Sequence, residues 1–487
     1  MTKVERRDVL VLGGGFAGLA AAIRLASLGR EVTLIERHAS LGGKAGEVRI
    51  DGFRFDTGPS VVTLPHVLEQ PFTTLGKPFP VAWRALDPLA RYRFASGRTL
   101  DVSCDVDATT AQLDAREARA YRTLLEEARI LYEAAAPVFV HGPPPTLPQL
   151  ARYGLRHGLR ARPWARLPDL LRHHGAEGDV RDLFLRFATY FGADPFRAPA
   201  ILHNIAWVEL GLGVVAPVGG VGELVRAYGE LARSLGVRMQ LDTRVDALTP
   251  RPGRAPEVHA LEHPGSDAAH GVTYAPDVVV STLDRERTLA MLGRSPRRAA
   301  EPSLSGMVLL LGVEGTHPDV MHHTLSMPAR YEAEFEAMRQ GEMPTDPTLY
   351  VSLSARSHPA DAPHGMENWF VMANAPAQDA AGRGVDEAAY AERILALLEA
   401  RGWLDRNAVR VQRTVGPAHL ATLATRGAIY GQAPHSLLAT LRPPQTVRGE
   451  RHMRLAGGTV HPGGGIPLAV TSGWQAASDL AGVPVDA

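Results

Sequence analysis

The chain has a single cysteine, Cys104. An internal disulfide, a Cys-x-x-Cys dithiol and a cysteine zinc cluster are thereby excluded, and a reducing, cytoplasmic setting is expected. Net charge is missing too, since 52 basic side chains balance 52 acidic ones. No global field then favours nucleic acid or an acidic polymer as partner. No window reaches ~18 uninterrupted apolar residues, so a spanning helix is not expected. The first strand-like run begins so near Met1 that no secretory leader is expected before it. No internal repeat or low-complexity linker appears, apart from the short Pro143–Pro145 turn. What remains is ordinary globular composition, 45% apolar and 21% charged over 487 residues, enough for two or three subdomains around a substantial core.

The amino end reads DVLVLGGGFAGLAAAIRLASLGREVTLIER, from Asp8 to Arg37. Asp8 to Leu12 suits a strand buried on both faces of a parallel sheet. Glycines follow at Gly13, Gly15 and Gly18, then a helix of small and aliphatic residues, then a second strand ending at Glu36. In that order each residue has a physical task. Gly13 permits a tight turn, Gly15 lets backbone amides approach a diphosphate, and Gly18 lets helix and strand pack closely. Glu36 is placed to accept hydrogen bonds from a ribose 2′-hydroxyl and would repel a 2′-phosphate. A dinucleotide with an unphosphorylated ribose is expected.

The next stretch, RHASLGGKAGEVRIDGFRFDTGPSVVT, favours a flavin over a nicotinamide. Its loop Leu41-Gly42-Gly43-Lys44 would bring backbone amides and one cation near the first glycine turn, where a longer diphosphate cofactor needs them. A strand, Phe53 to Asp56, then runs into Thr57-Gly58-Pro59. Further on, GVRMQLDTRVDALTP reads as strand and turn, and Asp277 to Asp284 as a buried strand leading to a loop. Near the carboxyl end, RLAGGTVHPGGGIPLAVTSGWQAASDLAG reads as a short strand, a glycine turn at Gly463–Gly465 and a helix from about Leu468. A helix N-terminus there would present positive partial charge.

These pieces together resemble two-domain flavoproteins such as amine oxidases and carotenoid desaturases. The motif Gly458–Pro467, with His461-Pro462 before the glycines and Ile466-Pro467 after them, resembles the bacterial phytoene desaturase family. The likeness also covers Gly52–Thr63, Leu86–Leu100, Phe187–Gly220, Met321–Phe335 and Asp346–Gly365. It implies FAD, with Gly58 and Pro59 close to the flavin, Val245 by the adenine, and Gly464, Gly465 and Ile466 at the flavin pyrimidine edge. It implies an α/β fold in which a discontinuous Rossmann-like FAD domain carries an inserted substrate domain of mixed sheet and helices. The expected division is 1–80, 215–290 and 445–487 for the FAD domain, and 81–214 and 291–444 for the substrate domain.

The stretch RFATYFGADPFRAPAIL, residues 186 to 202, resembles desaturases acting near the end of an already hydroxylated carotenoid. The implied reaction is 3,4-desaturation of a 1-hydroxycarotenoid. Phytoene desaturation, a carotenoid ketolase or isomerase, a flavin amine oxidase and a non-catalytic lipid-carrying flavin fold stand as alternatives. Removing two hydrogens from a polyene asks for a hydride acceptor, alignment and a dry slot, and no nucleophile or metal. His461 and Tyr430 fall in segments that the resemblance places toward flavin or substrate, where either would relay a proton or simply pack. His322 and His323, adjacent on an expected strand, should point to opposite faces and so not share an ion. A quinone or dioxygen would reoxidise the flavin.

Residues 108 to 210 read as mostly helical and 303 to 375 as strands. Between the ends of the first region lies LARYGLRHGLRARPWARLPDLLRHH, residues 150 to 174, rich in Arg and Leu with Tyr153 and Trp164 interleaved. A basic surface with aromatics would let the protein lie on the inner face of the cell membrane and draw substrate from lipid. Pro163 and Pro168 are expected to break its helix.

Overall fold

Val9 to Leu12 and Val32 to Ile35 are buried throughout because each strand runs parallel to its neighbours beneath two layers of other structure. The computed structural model describes residues 3–157, 164–294 and 301–485. Lys3–Leu12 lies between Val32–Ile35, in the register Val9 to Val32, and His270–Ser281, in the register Leu10 to Val279. Arg238–Gln240 extends the sheet beyond Val32–Ile35, and Glu450–Leu455 runs parallel to the end of His270–Ser281. An antiparallel pair, Thr243–Arg251 and Arg254–Glu262, completes the other side. Alternation along the first strand decides its contacts. Val9 and Val11 meet the helices Phe16–Ser27, Val221–Ser234 and Ile466–Ala481, whereas Leu10 and Leu12 meet Val245, Leu248, Val258 and Met453.

A second sheet has seven strands in the order Val409–Val415, Ser305–Glu314, Met366–Ala375, Leu349–Leu353, His323–Ser326, Ala90–Arg93 and Thr99–Val102. Met307, Leu309 and Leu311 on one face bury the helix Glu387–Ala400 through Ile394 and Leu398. The opposite face carries Leu310, Tyr350 and Phe370 toward the helices Ala115–Phe139, Gly178–Arg186 and Asn204–Leu210. Asp114 and Glu117 close a reciprocal cap at the start of Ala115–Phe139, which satisfies two otherwise unpaired amides.

Three expectations change. The carboxyl-terminal helix begins at Ile466 rather than near Leu468, since Pro467 sits in its first turn, where a missing N–H leaves nothing unpaired. The stretch 303–375 is interrupted by the helix Tyr331–Arg339, which buries Tyr331, Phe335 and Met338 at helical spacing. Pro168 opens the helix Leu167–His173 instead of breaking one, for the same reason as Pro467. Pro163 lies outside the described residues.

Arg54 locks the strand Phe53–Asp56 to the second body. Its guanidinium donates to Asp361 at 2.7 and 2.8 Å and to Asp56 at 2.7 Å, and Arg54 and Asp361 are both buried. Asp56 in turn accepts from Val221 N–H at 3.1 Å, the first amide of a helix under the first sheet. The turn that follows, Thr57-Gly58-Pro59, is therefore held from both sides.

Candidate functional site: a glycine-built cofactor cradle at the end of an apolar cavity

Gly13 ends the first strand with φ +104°, a conformation that side chains other than glycine's rarely adopt. A Cβ on Gly18 would fall 1.9 Å from the Gly13 carbonyl oxygen, so helix and turn touch through backbone alone. Gly15 precedes the helix Phe16–Ser27, and no side chain caps that end. Its first amides therefore face the cavity lined by Gly13, Gly15 and Phe16 with room for an anion. Gly18 works from behind the wall and does not line the cavity.

Glu36 closes the second strand and does two things at once. Its carboxylate accepts from Gly14 N–H at 2.7 Å and from His38 N–H at 3.0 Å, which steadies the glycine turn. The carboxylate also lines the cavity, where its remaining lone pairs can take sugar hydroxyls. Val245, buried on the antiparallel pair, lies on the same stretch of wall.

The second glycine loop sits on the first. Gly42 N–H donates to Gly14 O at 2.9 Å, and a Cβ on Gly43 would come 3.3 Å from the Gly15 Cα. Lys44 lines the cavity beside the two glycine loops. Its ammonium donates to the Ile429 carbonyl at 2.6 Å, and burial pulls its pKa below the ordinary lysine value. A desolvated ammonium takes the nearest carbonyl, and that contact ties the Ile429–Tyr430 segment to the cradle. Gly58 is required by the same loop, since a Cβ there would fall 1.8 Å from the Lys44 carbonyl oxygen. Pro59 follows on the cavity wall.

A second helix opens on the cavity from the other side. Gly464, Gly465 and Ile466 line it, Gly465 has φ +105°, and Ile466–Ala481 begins without a side-chain cap. A Cβ on Gly464 would fall 2.0 Å from the Tyr430 ring, so the turn is shaped around that tyrosine. Tyr430 lines the cavity, and burial pushes its phenol above the ordinary value, which keeps it neutral and unsuited to accept a proton. His461 does not line the cavity. Its Nε2–H donates to Gly142 O at 3.0 Å, its carbonyl accepts from Ser472 Oγ at 2.7 Å, and burial keeps the ring neutral. The arrangement makes it a clasp between loop and helix.

Several residues that sequence reasoning missed brace the segments around the cavity. Arg442 donates to the carbonyls of Phe191 at 3.0 Å and Tyr430 at 3.2 Å, and its guanidinium lies 4.2 Å from the Phe191 ring centroid. Arg37 and Arg287 converge on the Thr422 carbonyl at 2.9 and 2.7 Å, bracing the segment beside the Glu36 end. Nothing local distinguishes these arginines, because each acts on backbone distant in sequence.

His322 and His323 do not point to opposite faces: their rings meet edge to face at 4.5 Å. The strand starts at His323, so the alternation that separates neighbours does not extend to His322. Each Nδ1 is taken by a hydroxyl, Ser357 for His322 and Tyr350 for His323. Among the described residues no group of His, Cys, Asp and Glu is arranged to hold a metal ion. Cys104 is exposed and does not line the cavity.

The cavity has a volume of about 1350 Å³, more than one drug-sized ligand fills. Two uncapped helix N-termini, the touching glycine loops and the carboxylate at the strand tip fit FAD: an anion end, a sugar end and a planar end in one connected space. Residues 16–481 match the family described as flavin containing amine oxidoreductase. A hydroxyneurosporene desaturase from Rhodobacter capsulatus is 33% identical over 97% of both chains. A phytoene dehydrogenase from Streptomyces griseus is 33% identical, covering 97% of this chain and 95% of its own. A 1-hydroxycarotenoid 3,4-desaturase from a Flavobacterium species is 27% identical, covering 96% and 97%. Among solved structures, a triple mutant of a putrescine oxidase superposes with a TM-score of 0.66 at 15% identity, covering 99% of this chain and all of its own. The chain belongs to the flavin containing amine oxidoreductase family, among its carotenoid-desaturase members. It is an FAD-dependent oxidoreductase.

Proposed function

We propose that this protein is a carotenoid desaturase that introduces the 3,4 double bond of a 1-hydroxycarotenoid. The observation that carries the reading is the single cavity, which continues from the glycine cradle between Phe370, Leu325, Ile205 and Val208 without a break. Bound in the cradle, FAD would supply the acceptor for one hydride, which carries both electrons, while the neighbouring carbon of the substrate loses a proton. The chain's own part is alignment and dryness. Apolar walls hold a polyene straight and exclude water, and the substrate's conjugation spreads the charge that develops as hydride leaves. Relatives that act on hydroxylated carotenoids and span nearly this whole chain support the choice of substrate.

We read the first sheet with its helices as the FAD domain, 1–80, 215–290 and 445–487, and the rest, 81–214 and 291–444, as the substrate domain. Tyr153 and the exposed Leu438 line the cavity, and Leu155 and Trp164 are exposed in the basic stretch that holds Tyr153. No helix among the described residues is long and apolar enough to cross a membrane. We propose that this face rests on the inner leaflet of the cell membrane and takes substrate from it. A second reading, phytoene desaturation, has the Streptomyces griseus relative in its favour.

The test incubates holoprotein in liposomes with a 1-hydroxycarotenoid or with phytoene, offering a quinone or dioxygen as acceptor. A red shift of the absorption maximum with the hydroxylated substrate supports the proposal. A shift with phytoene alone moves the assignment to the second reading, and no shift with either overturns both.

A further inference from the structure

One polar patch interrupts the apolar wall. Arg186 ends the helix Gly178–Arg186, Glu209 lies on Asn204–Leu210, and only 5% and 3% of their surfaces are exposed. Arg186 donates to Glu209 Oε1 at 2.8 Å and to the Tyr190 hydroxyl at 2.9 Å, and that hydroxyl donates to Glu209 Oε2 at 2.5 Å. The guanidinium also lies over the rings of Phe187 and Tyr190, each 4.8 Å away. A buried ion pair in an apolar setting is weak evidence of a stabilising role, because desolvation opposes its attraction. Arg186, Tyr190 and Glu209 all line the cavity.

Tyr331 supplies a second, independent observation. It lines the same cavity at 2% exposure, and its hydroxyl has no hydrogen-bond partner within the protein. Arg186 Nε is equally without one. Burial and Glu334 push the Tyr331 phenol well above its ordinary value, against the pull of Arg186, so the hydroxyl stays protonated and able to donate. Buried donors left over in a cavity wall are the mark of a partner that arrives with the ligand.

The patch stands beside the cradle. Ser60 directly follows Pro59, its hydroxyl lies 2.7 Å from that of Tyr350, and Tyr350 shares the wall with Arg186 and Glu209.

We propose that Arg186, Tyr190, Glu209 and Tyr331 form a hydroxyl-recognition site that takes the tertiary alcohol end of a 1-hydroxylated acyclic carotenoid. The proposal rests on the desaturase reading above. Tyr331 donates to the alcohol oxygen and Glu209 accepts its proton in a hydrogen bond, while Arg186 and Tyr190 hold the carboxylate in place. An alcohol on C1 is two bonds from C3, so anchoring it beside Ser60 sets the 3,4 pair against the Gly58–Pro59 turn. A hydrocarbon of the same length leaves the Tyr331 hydroxyl unpaired and is disfavoured for that reason.

The experiment titrates FAD-loaded protein with a 1-hydroxycarotenoid and with the hydrocarbon of the same conjugation, following binding by polyene absorbance and turnover by red shift. The wild-type protein is expected to favour the alcohol by roughly ten- to a hundredfold in affinity. Tyr331→Phe removes one unpaired oxygen and leaves the core packing in place. It should lower that ratio about tenfold, with Glu209→Gln lowering it as well. Equal wild-type affinities, or an unchanged ratio in Tyr331→Phe, overturn the site; a red shift with the alcohol in that same protein leaves the desaturase reading standing. No red shift from either polyene overturns the desaturase reading and, with it, the site's part in choosing the bond.

Discussion

Gly473 and Ala17 meet backbone to backbone: a Cβ on Gly473 would fall 2.0 Å from the Ala17 carbonyl oxygen. That crossing brings the N-termini of Phe16–Ser27 and Ile466–Ala481 to one cavity, and Arg24 reinforces it by donating to Ser478 Oγ at 3.0 Å beneath Trp474. Gly473→Ala forces the helices apart. The expected result is a loss of at least about 1–3 kcal/mol in stability together with weaker FAD retention. Thermal unfolding and flavin content after gel filtration check it.

Glu36→Ala removes both the sugar-facing carboxylate and the bonds to Gly14 and His38. FAD affinity should fall by roughly ten- to a hundredfold, equivalent to about 1.5–3 kcal/mol. Cofactor released by heat from the wild-type protein should be FAD, and NADP in its place would refute the assignment.

Gly465→Val tests the cradle without a packing clash. At φ +105° a branched side chain strains the backbone, yet its Cβ would enter open space with nothing within 4 Å. The variant should fold with near-native circular dichroism and fail to hold flavin. Full flavin occupancy would remove this turn from the site.

Acid should destabilise the protein below neutrality. His203 is fully buried, donates to Leu124 O at 2.8 Å, and burial lowers its pKa to about 4. Burial holds His323 well below its ordinary value too. Between pH ~6.5 and about 4 the unfolded chain takes up protons that these folded rings refuse, so stability declines as pH falls through that window. His203 alone is worth on the order of 3 kcal/mol at the low end. Denaturant midpoints at pH 7 and 5 measure the decline, and His203→Gln should flatten it.

The basic stretch 150–174 predicts attraction to anionic lipid. Leu155 and Trp164 are exposed there, at 92% and 73%. Reversing the charge of Arg156, Arg160 and Arg162 should lower binding to anionic liposomes by roughly a hundredfold, at about 1 kcal/mol for each basic residue near the surface. Arg160 and Arg162 lie outside the described residues. Unchanged co-sedimentation would remove this stretch as the membrane contact.

The nucleotide end of the site was legible in the sequence because strand, glycine turn, helix and acid lie within one short segment, and each residue type has a local backbone reason to be there. Gly13, Gly15, Gly18 and Glu36 needed no partner from elsewhere to be recognised. Tertiary structure alone decided what those residues face. It turned Lys44 onto Ile429, placed His461 behind the wall, and set Gly473 on Ala17, contacts that join positions up to hundreds of residues apart. The Arg186–Glu209 patch was hidden for the same reason. Its residues sit on two different helices, with Tyr331 on a third, and only burial in one cavity leaves a hydroxyl without a partner. Periodicity and turn chemistry act over a few residues, so they specify elements; which side chains share a solvent-free space is a property of how those elements pack.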